Sequence, residues 1–324
     1  MSKYNELVGL KVRYLSADPP NPENGQVWYN STKMRVGGIL GAGSWSSGGN
    51  LNTARGATGG IGTQTTGLCC SGQISPGNNT ANVEEYNGSS WTETGNVGSA
   101  RYTMGAAGTQ TAGLISMGYG GAALTATELY NGSTWTAGTA SNDNRTNLGS
   151  GGTQTSALMF GGSESPGTSN ATEEWNGSSW TTGGNLGTAR YQLSGNNVGT
   201  QTAGLCIGGF AGSAKSNVEE YNGSSWTAGG ALPAAEGLAS RYGTQTAATM
   251  AGGGPGPAPN PTVVAKQYDG SSWTTIPSLA TGRIFSSGCG SNSAGVVWGG
   301  NQPPATNTTE EYTEPVGTAS ISSS

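Results

Sequence analysis

Residues 101–136 read RYTMGAAGTQTAGLISMGYGGAALTATELYNGSTWT and predict four short β-strands in succession. Two tight turns, GTQT and NGST, alternate with one long Gly-rich loop, and the segments between them are short and apolar or alternating, as expected of strands. Strands connected by such turns pair with their sequence neighbours in antiparallel order. The stretch therefore predicts a four-stranded antiparallel sheet.

The same pattern recurs through the chain at intervals of 44 to 47 residues and gives six repeats, numbered here from 1 to 6. Glycine is abundant, at 59 of 324 residues, but periodic aromatic residues indicate a packed core and argue against a low-complexity chain. The repeating tryptophans are Trp45, Trp91, Trp135, Trp180, Trp226 and Trp273; GTQT begins at Gly62, Gly108, Gly152, Gly199 and Gly243 and becomes GSNS at Gly290; the third strand ends at Tyr86, Tyr130, Trp175, Tyr221, Tyr268 or Tyr312.

A paired glycine follows the apolar second strand, as in FGG at 160–162, IGG at 207–209 and WGG at 298–300, and a tyrosine and then a tryptophan come later in the repeat. Over residues 43–313 this pattern resembles the kelch repeat. The resemblance implies an all-β fold, a six-bladed β-propeller of four-stranded kelch-like blades.

Repeat 6 supplies three strands but no tryptophan strand, and the strand of Trp45 is left over near the N-terminus. We expect the N-terminal strand to complete the last blade, because ring closure removes free sheet edges. The predicted organisation is an N-terminal docking extension with a short hairpin (1–42), the propeller (43–314) and a flexible C-terminal tail (315–324). The hairpin is expected at Gln26–Asn30 and Met34–Val36.

The composition argues against several functions. There is no histidine, charged residues make up only 10% of the chain, and the net charge is −5. Without histidine the commonest general base and metal ligand are missing, so we expect no enzyme, no cofactor and no metal site. Scattered Lys and Arg predict no nucleic-acid partner, and the lack of a long apolar run predicts no membrane insertion. The four cysteines lack metal-ligand spacing, and we expect buried free thiols.

An internal exchange of charge predicts ion pairs. A cation lies ten residues after the tryptophan and an acid two residues before the third-strand aromatic, except in repeat 5, where both signs are inverted. A joint inversion indicates contact between the two positions, in a structural pair that fixes blade packing. The expected pairs are Arg55 with Glu84, Arg101 with Glu128, Arg145 with Glu173, Arg190 with Glu219, Glu236 with Lys266, and Arg283 with Glu310.

The loops between the second and third strands differ among repeats, whereas the other turns are short. Alternating strand direction places all the long loops at one face, and variable loops on a rigid scaffold are usual sites of recognition. The candidate recognition residues are Gln73, Asn78, Ser163, Ser165, Lys215, Asn260, Asn301 and Gln302. The Asn-Gly pairs of the short turns predict type I′ hairpins.

Near the N-terminus, the segment GQVWYNSTKMRV at 25–36 is similar to N-terminal segments in virion proteins of tailed bacteriophages. The Gly/Ser/Thr/Asn-rich repeats also resemble phage-encoded kelch-like proteins. The resemblance implies a non-enzymatic virion structural protein, in a tail, fibre or appendage, present in multiple copies and assembled in the host cytoplasm. Its partners would be other virion proteins, docked through residues 1–43, and a host surface glycan or receptor.

Three alternatives stay open. The first is a head decoration or tail-completion protein, which the sequence does not separate from a tail component. The second is a carbohydrate-active propeller enzyme: adjacent acids such as Glu84 and Glu85 offer paired carboxylates, although neighbours in a strand point to opposite faces. The third is a cellular adaptor propeller, which would need a second adaptor domain.

Overall fold

A computed structural model describes residues 13–17, 27–30, 35–38, 43–193, 196–256, 260–301 and 304–314. Every regular element in these ranges is a β-strand, and none of the described residues forms a helix that could cross a membrane. The chain divides into two compact units, residues 1–44 with 313–324, and residues 45–312.

The first unit contains one small sheet. Its strands are Arg13–Leu15, Val27–Asn30 and Arg35–Gly38. The second and third are antiparallel, with Asn30 opposite Arg35, and form the predicted hairpin, shifted by up to two residues at its ends. Arg13–Leu15 adds a parallel strand that the sequence pattern did not predict. Gln26 and Met34, which we had placed in the hairpin, lie outside the described residues.

The second unit is an arrangement of small sheets as a propeller, so the expected all-β propeller is confirmed at this level. Four sheets are separate blades of four strands, and eight further strands form one sheet. The separate blades are Gly59–Thr63, Thr66–Cys70, Val83–Tyr86 and Trp91–Thr94; Gly105–Thr109, Ala112–Ser116, Thr127–Tyr130 and Trp135–Gly138; Gly149–Thr153, Ser156–Phe160, Thr172–Trp175 and Trp180–Thr182; and Ser287–Gly290, Ala294–Trp298, Thr309–Thr313 and Ser44–Ser47.

The eight-stranded sheet consists of the strands of repeats 4 and 5. Its strands are Asn196–Thr200, Ala203–Ile207, Val218–Tyr221 and Trp226–Ala228, followed by Ser240–Thr244, Ala247–Ala251, Ala265–Tyr268 and Trp273–Ile276. The two first strands pair in parallel, with Val198 opposite Gly243, and this pairing joins the two sets of four. Three two-stranded hairpins lie in the long loops, at Gln73–Ser75 with Asn78–Asn79, Ser163–Glu164 with Gly167–Thr168, and Phe210–Ala211 with Ser213–Ala214.

The strand of Trp45 completes the sheet of repeat 6, as predicted from the unpaired tryptophan. The Gly48 N–H donates to the Thr309 carbonyl at 3.0 Å, and the rings of Trp45 and Tyr312 lie 5.2 Å apart. The indole of Trp45 also donates to the Pro277 carbonyl of repeat 5 at 2.8 Å. The N-terminal strand is thus fixed both within its sheet and to the neighbouring repeat.

Backbone hydrogen bonds connect the repeats in a closed cycle. In each repeat, the residue two positions after the second strand donates its N–H to the carbonyl at the arginine position of the next repeat. The six bonds, 2.7–2.9 Å long, run from Gly72 to Arg101, Gly118 to Arg145, Gly162 to Arg190, Gly209 to Glu236, Gly253 to Arg283 and Gly300 to Arg55. In repeat 4 the first glycine of the pair, Gly208, has a φ of +57°, and a Cβ there would lie 2.3 Å from the Glu236 carbonyl oxygen. In repeats 1 and 2, Ser71 and Met117 hold the same positive φ at this position.

The apolar core lies between neighbouring repeats. One cluster joins Ile61 and Leu68 of repeat 1 to Met104 and Ile115 of repeat 2, and equivalent clusters follow around the propeller. The expectation of buried free thiols is confirmed for all four cysteines. Burial raises the pKa of the Cys206 thiol to about 11, which keeps it protonated and unreactive near neutral pH.

The Asn-Gly turns differ from the prediction. Tyr86 and Trp91 are opposite each other, so residues 87–90 form a four-residue loop. Only Gly88 has a positive φ, whereas a type I′ turn needs two such residues, so the type I′ prediction was wrong. The Asn87 side-chain oxygen accepts the N–H groups of both Ser89 and Ser90, at 3.0 and 2.9 Å, and this Asx-type contact closes the longer loop.

Candidate functional site

The structure brings together all six residue pairs that the internal exchange of charge predicted. The shortest nitrogen–oxygen distances are 2.9 Å for Arg55 and Glu84, 2.9 Å for Arg145 and Glu173, 2.7 Å for Arg190 and Glu219, 2.6 Å for Lys266 and Glu236, and 2.5 Å for Arg283 and Glu310; Arg101 also contacts Glu128. All five arginine side chains are fully buried. Each pair lies within one repeat: one partner is on the third strand, and the other lies in the segment before the first strand.

These arginines also hold the long loops at their bases. Arg145 Nη1 donates to the carbonyls of Gly161 and Ala171, both at 2.8 Å, and these residues lie at the two ends of the loop in repeat 3. Arg101, Arg190 and Arg283 make the same double contact in repeats 2, 4 and 6. The second oxygen of Glu173 accepts the Asn142 N–H at 2.8 Å. One buried network therefore fixes the ends of each of these loops.

Repeat 5 uses the inverted pair. Lys266 Nζ lies 2.6 and 2.7 Å from the two oxygens of Glu236. The same repeat carries a second buried cation, Arg241, whose pKa burial lowers to about 10. The charge of Glu236 raises the pKa of Arg241, and that of Arg190 lowers it. The negative charge of Glu236 therefore offsets part of the cost of burying Arg241.

The second glutamate of each adjacent pair has a different partner, which the sequence analysis missed. Tyr130 donates to Glu85 of the preceding repeat at 2.8 Å, whereas Glu84 pairs with Arg55. Tyr221 with Glu174 (2.5 Å), Tyr268 with Glu220 (2.7 Å) and Tyr86 with Glu311 repeat this contact between neighbours. The two carboxylates of each pair therefore diverge and do not form a catalytic dyad.

A second joint exchange in the sequence marks this contact. Repeat 3 carries Trp175 in place of the tyrosine, and the facing position in repeat 2 is Leu129 in place of glutamate. Leu129 and Trp175 both pack in one apolar cluster. The tyrosine hydroxyl and its glutamate partner are therefore both absent from this contact, just as both charges are inverted in repeat 5. This joint exchange is visible in the sequence.

A cavity of about 440 Å³ opens among the long loops, where several repeats meet. Five of the six repeats line it, and its polar and aromatic side chains include Gln73, Tyr102, Asn147, Gln192, Phe285 and Asn301. None of the lining residues carries a charge. Among the described residues, no group of three His, Cys, Asp or Glu side chains is placed to hold a metal ion. The arrangement suits a small neutral ligand.

The floor of this cavity is formed by the residues two positions after the repeating arginine. In all six repeats this residue is not glycine and yet has a positive φ, between 53° and 62°: Ala57, Thr103, Asn147, Gln192, Leu238 and Phe285. Backbone hydrogen bonds of 2.7–3.0 Å link five of them in order: Phe285 N to Leu238 O, Ala57 N to Phe285 O, Thr103 N to Ala57 O, and Asn147 N to Thr103 O. In repeat 4 the donor to Asn147 O is Leu193 N, one residue after Gln192. All the floor residues except Leu238 line the cavity.

Two of the predicted recognition residues, Gln73 and Asn301, lie together in the cavity wall. Gln302 lies outside the described residues, and the remaining predicted residues, Asn78, Ser163, Ser165, Lys215 and Asn260, belong to the long loops but not to the cavity lining. Tyr102, Gln192 and Phe285 also line the cavity and were not predicted from the sequence. They follow directly after the ion-paired arginines, in a segment that we assigned to the scaffold.

Neither the models of known protein families nor the curated proteins match this chain.

Proposed function

We propose that this chain is a non-enzymatic structural protein of a tailed-bacteriophage virion, a tail, fibre or appendage component, whose propeller binds a ligand through its long-loop face. Two resemblances support the virion role: the segment at 25–36 and the style of the repeats. The observation that carries the binding role is the cavity of about 440 Å³ at that face, built on loops whose ends are fixed by buried ion pairs. Rigid supports under variable loops are typical of recognition surfaces.

We further propose that the propeller has six kelch-like blades. The eight-stranded sheet then comprises the blades of repeats 4 and 5, which stay joined because their innermost strands pair at Val198 and Gly243. The closed cycle of six backbone hydrogen bonds, one between each pair of successive repeats, supports this count.

The divergent partners of the adjacent glutamates support a role without catalysis. Hydrolysis of a glycosidic bond by two carboxylates needs both groups to face one substrate. Glu84 instead contacts Arg55, and Glu85 contacts Tyr130 of the next blade. A carbohydrate-active enzyme would therefore need acids other than these pairs.

Cryo-electron microscopy of particles purified from a phage that encodes this protein tests the proposal. We expect residues 1–42 and the short-turn face to contact other virion proteins, with the long loops and the cavity exposed. Long loops buried between virion subunits would instead support the alternative role, a head decoration or tail-completion protein. Absence of the protein from purified particles would overturn the virion proposal.

Deletion of residues 1–42 gives a complementary test, because these residues are the proposed attachment element. We expect the shortened protein to fold but to be missing from particles. Normal incorporation of the shortened protein would show that the propeller attaches by itself, and the docking role of residues 1–42 would then be wrong.

A further inference from the structure

Two residues of the cavity lining have side-chain oxygens that lack a hydrogen-bond donor. Gln192 Oε1 and Asn301 Oδ1 both belong to residues of this lining, both atoms are buried, and neither accepts a hydrogen bond from any described residue. Buried acceptors are nearly always paired in folded proteins, because an unpaired one loses its hydration without compensation. Two such atoms in one cavity lining point to a ligand that brings at least two donors.

The floor residues share one unusual backbone conformation. Thr103 is β-branched and Phe285 is bulky, and both hold a left-handed conformation, with φ of 54° and 53°, that glycine would adopt without strain. The same conformation occurs at Leu238, which does not line the cavity, so the repeat sets it. The repeat therefore directs the side chains of the other five floor residues to the cavity lining.

The side chains of the floor differ from repeat to repeat. The six repeats carry six different residues at this position: Ala57, Thr103, Asn147, Gln192, Leu238 and Phe285. Two positions earlier, five of the six repeats carry the same arginine, whereas at the floor position each repeat contributes a side chain of its own size and polarity. An asymmetric set of side chains around a near-symmetric ring suits a ligand that is itself asymmetric.

The chemistry of the lining limits the ligand class. Among the described residues, no charged side chain lines the cavity, so these residues offer nothing to balance a phosphate, carboxylate or ammonium group. Amide groups come from Gln73, Asn147, Gln192 and Asn301, and aromatic surface comes from Tyr102 and Phe285. A sugar ring fits such a lining, because side-chain amides can form hydrogen bonds with its hydroxyl groups and an aromatic ring can pack against its apolar C–H face.

We propose that this cavity binds an uncharged sugar, the terminal residue or disaccharide of a glycan, with its hydroxyl groups donating to Gln192 Oε1 and Asn301 Oδ1 and one face of its ring against Tyr102 or Phe285. This inference deepens the proposed function, on which it rests, by naming the ligand class of the long-loop face. A peptide is less suitable, because each residue of its backbone offers a single N–H donor.

Saturation-transfer NMR and calorimetry on the full-length protein test the proposal. The probes are glucose, galactose and N-acetylglucosamine as neutral sugars, N-acetylneuraminic acid as an anion, glucosamine as a cation and a neutral Gly-Ser-Asn peptide. We expect at least one neutral sugar to bind and the charged sugars to bind more weakly by about tenfold or more. Binding of the peptide alone, or equal binding of the charged sugars, would overturn the assignment.

Two variants place the ligand in the cavity. Gln192→Gly removes one acceptor and suits the positive φ, so we expect it to fold normally and to weaken sugar binding by about tenfold. Asn301→Ala tests the second acceptor, and Asn78→Ala is the matched control, because Asn78 is an exposed loop residue outside the lining. Unchanged binding in both cavity variants, or an equal loss in the control, would contradict the site.

The source of the sugar is decided separately. Oligosaccharides released from the host envelope should compete with the bound monosaccharide if the glycan is a host receptor, whereas glycans from the virion should compete if a neighbouring subunit carries it. Sugar binding by purified protein does not depend on incorporation into particles. Failure of the virion proposal therefore leaves this test intact, and failure of sugar binding leaves the virion role intact.

Discussion

The ion pairs at the loop bases and the floor of the cavity are built from residues only two positions apart, yet they have changed in opposite ways. At the base, five repeats pair Arg with Glu, and repeat 5 has the opposite arrangement, with Glu236 at the arginine position and Lys266 at the glutamate position. On the floor, no two repeats share a residue. At a buried ion pair, a residue can be replaced only if its partner is replaced as well. At the floor of the cavity, the residue has no such partner and differs in every repeat.

The difference separates scaffold from recognition within one short segment. Arg145 is fully buried and bound to Glu173 and to two loop carbonyls, so any replacement leaves several buried groups unpaired. Asn147 lies two residues later and faces the cavity. A near-invariant anchor thus holds a variable contact residue in a fixed position.

The largest effect on stability is expected from removing one partner of an ion pair at the base of a long loop. Arg145→Ala leaves Glu173 buried without its cation and frees two carbonyls, so we expect the free energy of unfolding to fall by about 3–5 kcal/mol. Urea denaturation measures this loss. The exposed Glu164 of the same repeat is the control, and Glu164→Ala should change stability by less than about 0.5 kcal/mol. A loss below about 1 kcal/mol for Arg145→Ala would mean that the pair does not support the fold.

Repeat 5 allows the pairing itself to be tested. Glu236→Arg places a cation against Lys266 and near Arg241, and we expect a loss of about 3 kcal/mol or more. Adding Lys266→Glu restores an Arg–Glu pair, so the double variant should be more stable than the single one. It should stay below the wild type, because Arg241 loses the charge of Glu236. Thermal melts of both variants decide this, and equal melting temperatures would contradict the pairing.

A smaller effect is expected at the contacts between blades. Tyr221→Phe removes the hydroxyl that donates to Glu174 and should lower the free energy of unfolding by about 1–2 kcal/mol. Tyr119→Phe is the matched control, because Tyr119 is exposed on a long loop. If both variants lose equally, the Tyr–Glu contact contributes nothing specific to the junction.

The same tyrosines predict how stability depends on alkaline pH. Burial and the hydrogen bond to Glu174 raise the pKa of Tyr221 to about 12, above its ordinary value of about 10. The folded protein therefore holds this proton more tightly, and the associated stability is present below pH 10 and is lost as the pH rises towards 12. Denaturation curves at several pH values should show a shallower decline for Tyr221→Phe than for the wild type.

The smallest effect on stability is expected on the floor. Gln192→Gly removes strain at φ +57° but also frees the unfolded chain, and the two changes nearly cancel, so stability should stay within about 1 kcal/mol of the wild type. Chemical denaturation checks the value. A loss comparable to that of Arg145→Ala would show that the floor belongs to the scaffold after all.

The strands and their grouping could be read from the sequence because the signals are local. Alternation along each strand, glycines at turns and the periodic tryptophan place the four strands of every repeat, and the strand of Trp45 was correctly assigned to the last sheet. The Arg–Glu pairs could be read as well, because one repeat inverts both charges at once. The Leu129 and Trp175 exchange carries the same kind of signal and was overlooked.

Local signals were insufficient where side-chain contacts or neighbouring repeats decide the outcome. The Asn87 turn has four residues because the side chain of Asn87 bonds the N–H groups of Ser89 and Ser90, an option that the Asn-Gly dipeptide does not specify. The joining of repeats 4 and 5 into one sheet depends on how closely two innermost strands approach.

The sequence by itself therefore determined the repeat, the strands, the closing N-terminal strand and the buried charge pairs, because each follows from periodicity or from paired exchange within one repeat. Only the tertiary structure decided the cavity. Gln73, Gln192 and Asn301 are more than 100 residues apart in sequence, and they meet because the cycle of repeats closes around them. Convergence of this kind depends on how neighbouring sheets pack, and no short segment of the chain encodes it.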